Sequence, residues 1–270
     1  MDAVTVSGLK ITYRRAGSGE PLVLVHGGFG FDSRSWSPQL DDLGDEFDIV
    51  AWDAPGCGGS DDPPESFSME DYADSLAGFV GALGLTRPHI LGISFGGALA
   101  LALYARHPTV PRSLILAGAY AGWAGSLPAE EVQRRVQRIS EEVSHYPPEE
   151  WQPKYLPGML TESAPREMAE QTLALMSDVH PQASLTMLRA MANADLRGIL
   201  PDIDVPTLVL HGELDARSPL AVGRELNEKI PASRLVVLPG VGHLSNVEAA
   251  DAFNLEVRNF LRPLRNPLGA

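Results

Sequence analysis

The residues Gly92-Ile93-Ser94-Phe95-Gly96 constrain this chain more than any others. They spell G-x-S-x-G between an apolar run that reads as a strand, Pro88-His89-Ile90-Leu91, and one that reads as a helix, 95–106. A strand that turns directly into a helix needs a tight bend. Glycines supply it, because a side chain would clash where neighbouring chain comes close. The serine at the apex then has a strained backbone, an exposed hydroxyl and a helix N-terminus behind it. The run after it is apolar nearly all round and rich in small helix formers, as a helix buried against a sheet would be. It is too short to span a membrane. The plainer reading is a glycine-flanked serine that only caps a helix, and the partners found further along the chain weigh against it.

The first third of the chain alternates short β-rich runs with helical ones. Val4–Val6 and Lys10–Arg14 read as a hairpin around Ser7-Gly8. Leu22-Val23-Leu24-Val25 and Asp48-Ile49-Val50-Ala51-Trp52 read as strands, as do 113–116, 207–210 and 235–238. Continuous apolar strands suit a sheet covered on both faces. Helical patterns lie between them at 68–83, 95–106, 220–230 and 247–261. This alternation predicts an α/β fold with a doubly wound, mostly parallel sheet.

The rhythm breaks between positions 121 and 200. Three helical stripes replace it: Val132, Val136, Ile139 and Val143; Met168, Thr172, Leu175, Met176 and Val179; Leu185, Leu188, Ala192 and Leu196. Seven prolines punctuate them. The pattern predicts a helical cap over 121–200, inserted into a core made of 1–120 and 201–270. Trp123, Met159, Met176, Met187 and Met191 lie in the insertion and, with Phe29, are candidates to wall an apolar substrate pocket. The same residues could equally be the cap's own core.

A serine hydroxyl becomes a useful nucleophile when a histidine, oriented by a carboxylate, takes its proton. In doubly wound folds that use this set, the chain order is serine, acid, histidine. His243, in Gly240-Val241-Gly242-His243, sits on a glycine-flanked loop after the last strand, at the edge where α/β sites form. His26 reads as a brace for its own loop; the remaining histidines adjoin strand ends, a helix end or the cap. Asp215, in His211-Gly212-Glu213-Leu214-Asp215, occupies a loop at the same edge one strand earlier, with Glu213 as its nearest rival. The oxyanion of the intermediate needs preorganised N–H donors. The Phe95 amide is one candidate. The other is Gly28, with Phe29 as the alternative, in the loop His26-Gly27-Gly28-Phe29-Gly30. The Phe95 ring is expected to wall the acyl pocket.

Composition narrows the partners. Among 270 residues, 35 are acidic and 21 basic, a net charge of −14, which argues against nucleic acid or an anionic membrane surface. One cysteine, Cys57, permits no intrachain disulfide and fits a reducing compartment. No signal-peptide pattern is read at the N-terminus, so cytoplasmic residence is the expectation. No metal-ligand motif appears, and no metal or cofactor is expected. The glycine-rich loop Asp53-Ala54-Pro55-Gly56-Cys57-Gly58-Gly59-Ser60 lacks the lysine of a phosphate-binding loop and reads as a turn that shapes the core. Self-association into a homo-oligomer is left open.

With His26-Gly27-Gly28, Asp53-x-Pro55-Gly56-x-Gly58-x-Ser60, Gly92-x-Ser94-x-Gly96, Asp215 and His243 in this order, the chain resembles the α/β-hydrolase fold superfamily from end to end. The segment from Asp195 to Phe260 looks most like enol-lactonases, carboxylesterases and cofactor-free haloperoxidases. The resemblance implies Ser94 as nucleophile, Asp215 as acid and His243 as base. A serine in that place argues against the dehalogenases and epoxide hydrolases, which use carboxylate nucleophiles. The expected activity is hydrolysis of a small-to-medium apolar carboxylic ester or lactone through an acyl-enzyme. A C–C hydrolase of ring-fission diketones is a second reading, in which Arg189 or Arg197 would grip a substrate carboxylate. A non-catalytic ligand-binding homologue is a third.

Overall fold

In the computed structural model, which describes residues 1–28, 30–176 and 178–265, the apolar runs join one eight-stranded sheet. β1 (Asp2–Val6) and β2 (Leu9–Ala16) form the opening hairpin. β3 (Glu20–Val25), β4 (Phe47–Trp52), β5 (His89–Ile93), β6 (Ser113–Ala117), β7 (Thr207–Gly212) and β8 (Ser233–Leu238) follow. Their spatial order is β1-β2-β4-β3-β5-β6-β7-β8. The pairs β1–β2 and β2–β4 are antiparallel and the others are parallel. Leu22 to Val25, with no polar position in the run, are all buried, as a central strand covered on both faces requires.

Parallel neighbours need crossovers, and helices supply them. In chain order the crossover helices are α1 (Ser37–Leu43), α2 (Met69–Ala82), α3 (Phe95–Arg106), α4 (Ala129–His145), α5 (Pro148–Tyr155), α6 (Arg166–Leu175), α7 (Pro181–Asn193) and α8 (Leu220–Lys229); α9 (Ser245–Glu248) and α10 (Ala250–Leu261) follow the last strand. α1 packs on α10, while α2 packs on α3, which lies against β3, β5 and β6. α2 starts on a capping box: Ser68 Oγ accepts from the Asp71 amide and the Asp71 carboxylate accepts from the Ser68 amide. Among the described residues, no helix is long and apolar enough to cross a membrane.

Between β6 and β7 the described residues form four α-helices, α4 to α7, then a short 3-10 helix at Arg197–Asp202, and no strand. On α4, Ile139 and Val143 are buried, and Val132 and Val136 pack against the core beside them. The buried face of α7 is broader than its leucine stripe, because Met187 and Met191 are buried too. α5 was hidden by its prolines, which read as breaks. Pro148 occupies the first helical position, where a missing N–H costs no intrahelical bond. The stretch expected as one helix over 247–261 is two, because Ala249 leaves helical geometry at φ −135°, ψ 51°.

Register brings the loops together. Val25 pairs with Gly92, Ile93 with Ala117, and Gly212 with Leu238, so five parallel strands end near one edge. The loops leaving that edge carry Gly28, Ser94, Gly118, Asp215 and His243.

The core also buries histidines in their neutral form. His26, His89 and His211 are each fully buried, and burial pushes the pKa of each down; for His89 it reaches about 4, despite the hydrogen bond to Glu20. Each group binds its proton less well folded than unfolded. Stability is therefore present above the unfolded value of about 6.5 and is lost as pH falls from there through the folded value. For His89 the window runs from about 6.5 to about 4 and corresponds to a loss on the order of 3 kcal/mol. His26 and His211 act with the same sign. Urea unfolding at pH 7, 6 and 5 is expected to show a midpoint that falls at each step, with the fall shallower in His89→Leu. A flat midpoint across that range would refute the assignment of neutral buried histidines.

Candidate active site

Ser94 stands at the bend between β5 and α3 with φ 55° and ψ −113°, and is one of three non-glycine residues with positive φ among those described. Such a backbone is strained and persists only where its surroundings hold it. Here the Ser94 amide donates to the Ala117 carbonyl at 2.9 Å, and its own carbonyl accepts from Gly97 and Ala98 at 3.0 and 3.2 Å. From Pro88 to Tyr104 every residue but Ser94 is buried. The bend thus lifts one hydroxyl out of an otherwise closed core.

The glycines around Ser94 are dictated by main chain. A Cβ on Gly92 would lie far inside contact with the Gly96 carbonyl, and one on Gly96 inside contact with the Val25 carbonyl. As the first residue of α3, Phe95 has an N–H without an intrahelical acceptor. A Cβ on Gly28 would stand 3.5 Å from the Phe95 Cβ, so these two backbone segments lie side by side. Neither the Gly28 nor the Phe95 amide donates to another described residue. Phe29 lies outside the described residues. The Phe95 ring, expected in the pocket wall, instead packs edge-on against Tyr72 at 5.4 Å, because the first turn of α3 turns it towards α2.

His26 fixes the loop that carries Gly28. Its Nδ1 donates to the Gly27 carbonyl at 2.6 Å and its Nε2 accepts from the Ala54 amide at 3.0 Å. The loop after β4 is tied in turn through the buried Asp53, whose oxygens accept from the Ser33 amide at 2.8 Å and the Thr12 hydroxyl at 2.5 Å. Cys57, in the same loop, is buried, and burial pushes its thiol pKa well up.

His243 and Asp215 meet at 2.8 Å between Nδ1 and Oδ2, and both side chains are buried. The other Asp215 oxygen accepts from the Arg217 and Ser218 amides, each at 2.8 Å. Burial pushes the Asp215 carboxyl up, but the charge and hydrogen bond of His243, with His211 and Ser218, outweigh it and leave the pKa below the usual value. An ionised Asp215 accepts only, so His243 Nδ1 carries the hydrogen of this bond, and Nε2 is the nitrogen left for proton exchange on the other side of the ring. Glu213, the rival acid, braces the turn after β8 by accepting from the Gly240 amide at 2.8 Å. Gly118, with φ 48°, leaves room for the pair: a Cβ there would stand 3.1 Å from Asp215 Oδ2 and 3.2 Å from His243 Nδ1.

Ser94 and His243 face one small cavity together with Gly27, Gly28, Phe31, Tyr120, Trp123, Arg135, Met159, Arg217 and Leu244. Only about 20 Å³ of it is open to the centre of a water molecule. Trp123 and Met159, candidates for the wall of a substrate pocket, line this cavity. Met187 stands just behind it, its sulfur 3.3 Å from where a Gly28 Cβ would lie. Met176 and Met191 are buried away from the cavity. Helical periodicity marks an inward face but not what that face meets. Arg189 bonds the Thr186 hydroxyl and the Glu65 carbonyl, and Arg197 pairs with Asp195, so neither reaches the cavity. Phe31, Tyr120, Arg135, Arg217 and Leu244 are cavity residues that the sequence did not disclose. Nor did it disclose Glu248, whose carboxylate accepts from the Gly242 amide at 2.8 Å and the Thr161 amide at 3.0 Å, joining the His243 loop to the connection between α5 and α6.

An eight-stranded, mostly parallel sheet with a serine at the tip of its β5 elbow defines a class of hydrolytic fold. The model of the alpha/beta hydrolase family matches residues 22–256, and the chain belongs to that family. It is 30% identical over 243 residues to a putative carbamate hydrolase RutD of Klebsiella pneumoniae, covering 87% of this chain and 89% of that protein. Among solved structures, a malate-bound thermophilic esterase from Thermogutta terrifontis superposes with a TM-score of 0.90 at 30% identity, covering 98% of this chain and all of that one. The enol-lactonase of Burkholderia xenovorans LB400 gives a TM-score of 0.87 at 29% identity, over 97% of this chain and all of that one.

Proposed function

We propose that this hydrolase cleaves small carboxylic esters or lactones through an acyl-enzyme on Ser94. The observation that carries the reading is a strained, half-buried Ser94 sharing a tight cavity with a histidine that a buried carboxylate orients. His243 Nε2 takes the Ser94 proton as Oγ attacks the carbonyl carbon. The oxyanion is held by the Gly28 and Phe95 amides, and the positive end of α3 points the same way. The C–O bond to the leaving group breaks as His243 returns the proton to it. Water then repeats the sequence, releasing the acid and restoring the serine. Asp215 keeps the imidazole in the right tautomer and stabilises its cationic form. The helices α4 to α7 form the roof. A carbamate, the substrate class in the name of the Klebsiella relative, presents the same kind of carbonyl.

The test is a p-nitrophenyl ester series from acetate to decanoate, run beside γ-lactones and a phenyl carbamate. The small cavity predicts turnover that peaks at short acyl chains and fades by decanoate. No turnover of any of these carbonyls, together with no labelling of Ser94 by a fluorophosphonate, would overturn the reading.

A further inference from the structure

Arg217 is an unusual neighbour for a nucleophile. It follows the acid Asp215 by two positions and lines the cavity with Ser94 and His243. Its main chain is fixed at both ends. The amide donates to Asp215 Oδ1 at 2.8 Å, and the carbonyl accepts from the Tyr120 hydroxyl and from Arg135 Nη2. Its guanidinium lies over the Tyr155 ring, 5.1 Å from the centroid, and no carboxylate among the described residues forms an ion pair with it. Burial, with Arg135 and Arg138 nearby, pulls its pKa down.

Arg135 lines the same cavity. It sits over the Trp123 ring at 5.4 Å and pairs with Glu131 at 2.6 Å, a carboxylate it shares with Arg134. Among the described residues no Asp or Glu lines the cavity. A chain of net charge −14 has therefore placed two guanidiniums, and no acid, on the wall of its nucleophile's chamber. An enclosed cation without a counter-ion costs stability. A ligand that brings the missing negative charge would repay that cost on binding, and the planar fork of arginine matches a carboxylate.

We propose that Arg217, assisted by Arg135, binds a carboxylate on the substrate, so that the preferred substrate is an anionic ester or lactone with an acid group near the scissile carbonyl. This deepens the ester-hydrolase reading and rests on it. It also replaces Arg189 and Arg197 as the groups that would grip an acid.

The test compares esters that differ only in that group: monomethyl succinate against methyl butyrate, and monomethyl glutarate against methyl pentanoate, followed by pH-stat at pH 7. The wild type is expected to favour one anionic ester over its neutral partner by about tenfold or more in kcat/KM. In Arg217→Met this preference disappears, mainly through KM, while Arg217→Lys keeps part of it. Melting with and without millimolar succinate or glutarate supplies a readout independent of turnover. The dianion raises the wild-type Tm and leaves that of Arg217→Met unchanged. Turnover of both esters without preference, or a preference that survives in Arg217→Met, overturns the carboxylate site and leaves the hydrolase reading standing. No turnover of any ester, with a Tm shift that needs Arg217, overturns the hydrolase reading and keeps the site. Neither turnover nor a shift overturns both. Should Arg217→Met fail to fold, Arg217→Gln answers the same questions.

Discussion

Ser94→Ala is expected to lower kcat/KM at least about 10³-fold on every ester that the wild type turns over, with the fold intact. The size follows from the proposed covalent path: without Oγ no acyl-enzyme can form on it, and only water beside the proposed oxyanion amides would remain. The intact fold follows from the backbone. Alanine keeps a Cβ at φ 55°, so the strain at the elbow is unchanged, as are the main-chain bonds to Ala117, Gly97 and Ala98. Ser94→Gly separates the two contributions. It is equally inactive, but it relieves the positive φ and is expected to unfold at a higher urea midpoint than Ser94→Ala, by about 1 kcal/mol. Wild-type and variant rates on one short-chain ester, with unfolding curves beside them, measure both effects. A tenth of the activity surviving in Ser94→Ala would remove Ser94 as the nucleophile.

The elbow was legible in the sequence because its causes are local. Five consecutive residues need two glycines for steric reasons, and their flanks announce a strand and a helix. The meeting of Asp215 and His243 was legible for a related reason: each follows a recognisable strand, and parallel strands of one sheet end at one edge. What the sequence hid depends on contacts between distant segments. Arg217 gains its meaning from Tyr120, Arg135 and Tyr155, which come from three other parts of the chain. Glu248 matters because its carboxylate reaches Thr161. The segment 121–200 stood out by its lack of strands. Its methionines could be counted but not aimed, so Met159 reached the cavity while Met176 and Met191 went into packing. Phe95 was read as a pocket wall because it neighbours the serine, yet its ring is taken up by Tyr72.

Gly96→Ala should be among the most damaging single methyl groups in the chain. The Cβ would be driven into the Val25 carbonyl and, at 2.7 Å, against the carbonyl of His26. Both atoms belong to main chain, at the end of a central buried strand, and β3 has no freedom to retreat because β4 and β5 hold it on either side. Relief would have to come from α3, yet its N-terminus is already pressed against the sheet: a Cβ on Gly97 would overlap Ala119. A methyl group with nowhere to go costs about 3 kcal/mol or more when the obstacle is backbone. That is a large share of the stability of an ordinary domain. Gly81→Ala, near the C-terminal end of α2, is the matched control. A Cβ there meets nothing within 4 Å, so alanine should be neutral or stabilise the helix by up to about 1 kcal/mol. Urea unfolding of the two variants should give shifts of opposite sign. Gly96→Ala should also lose turnover, since any retreat of α3 separates the Phe95 amide from the Gly28 loop. A Gly96→Ala protein with the wild-type midpoint would mean that β3 and α3 do not meet as closely as the elbow requires.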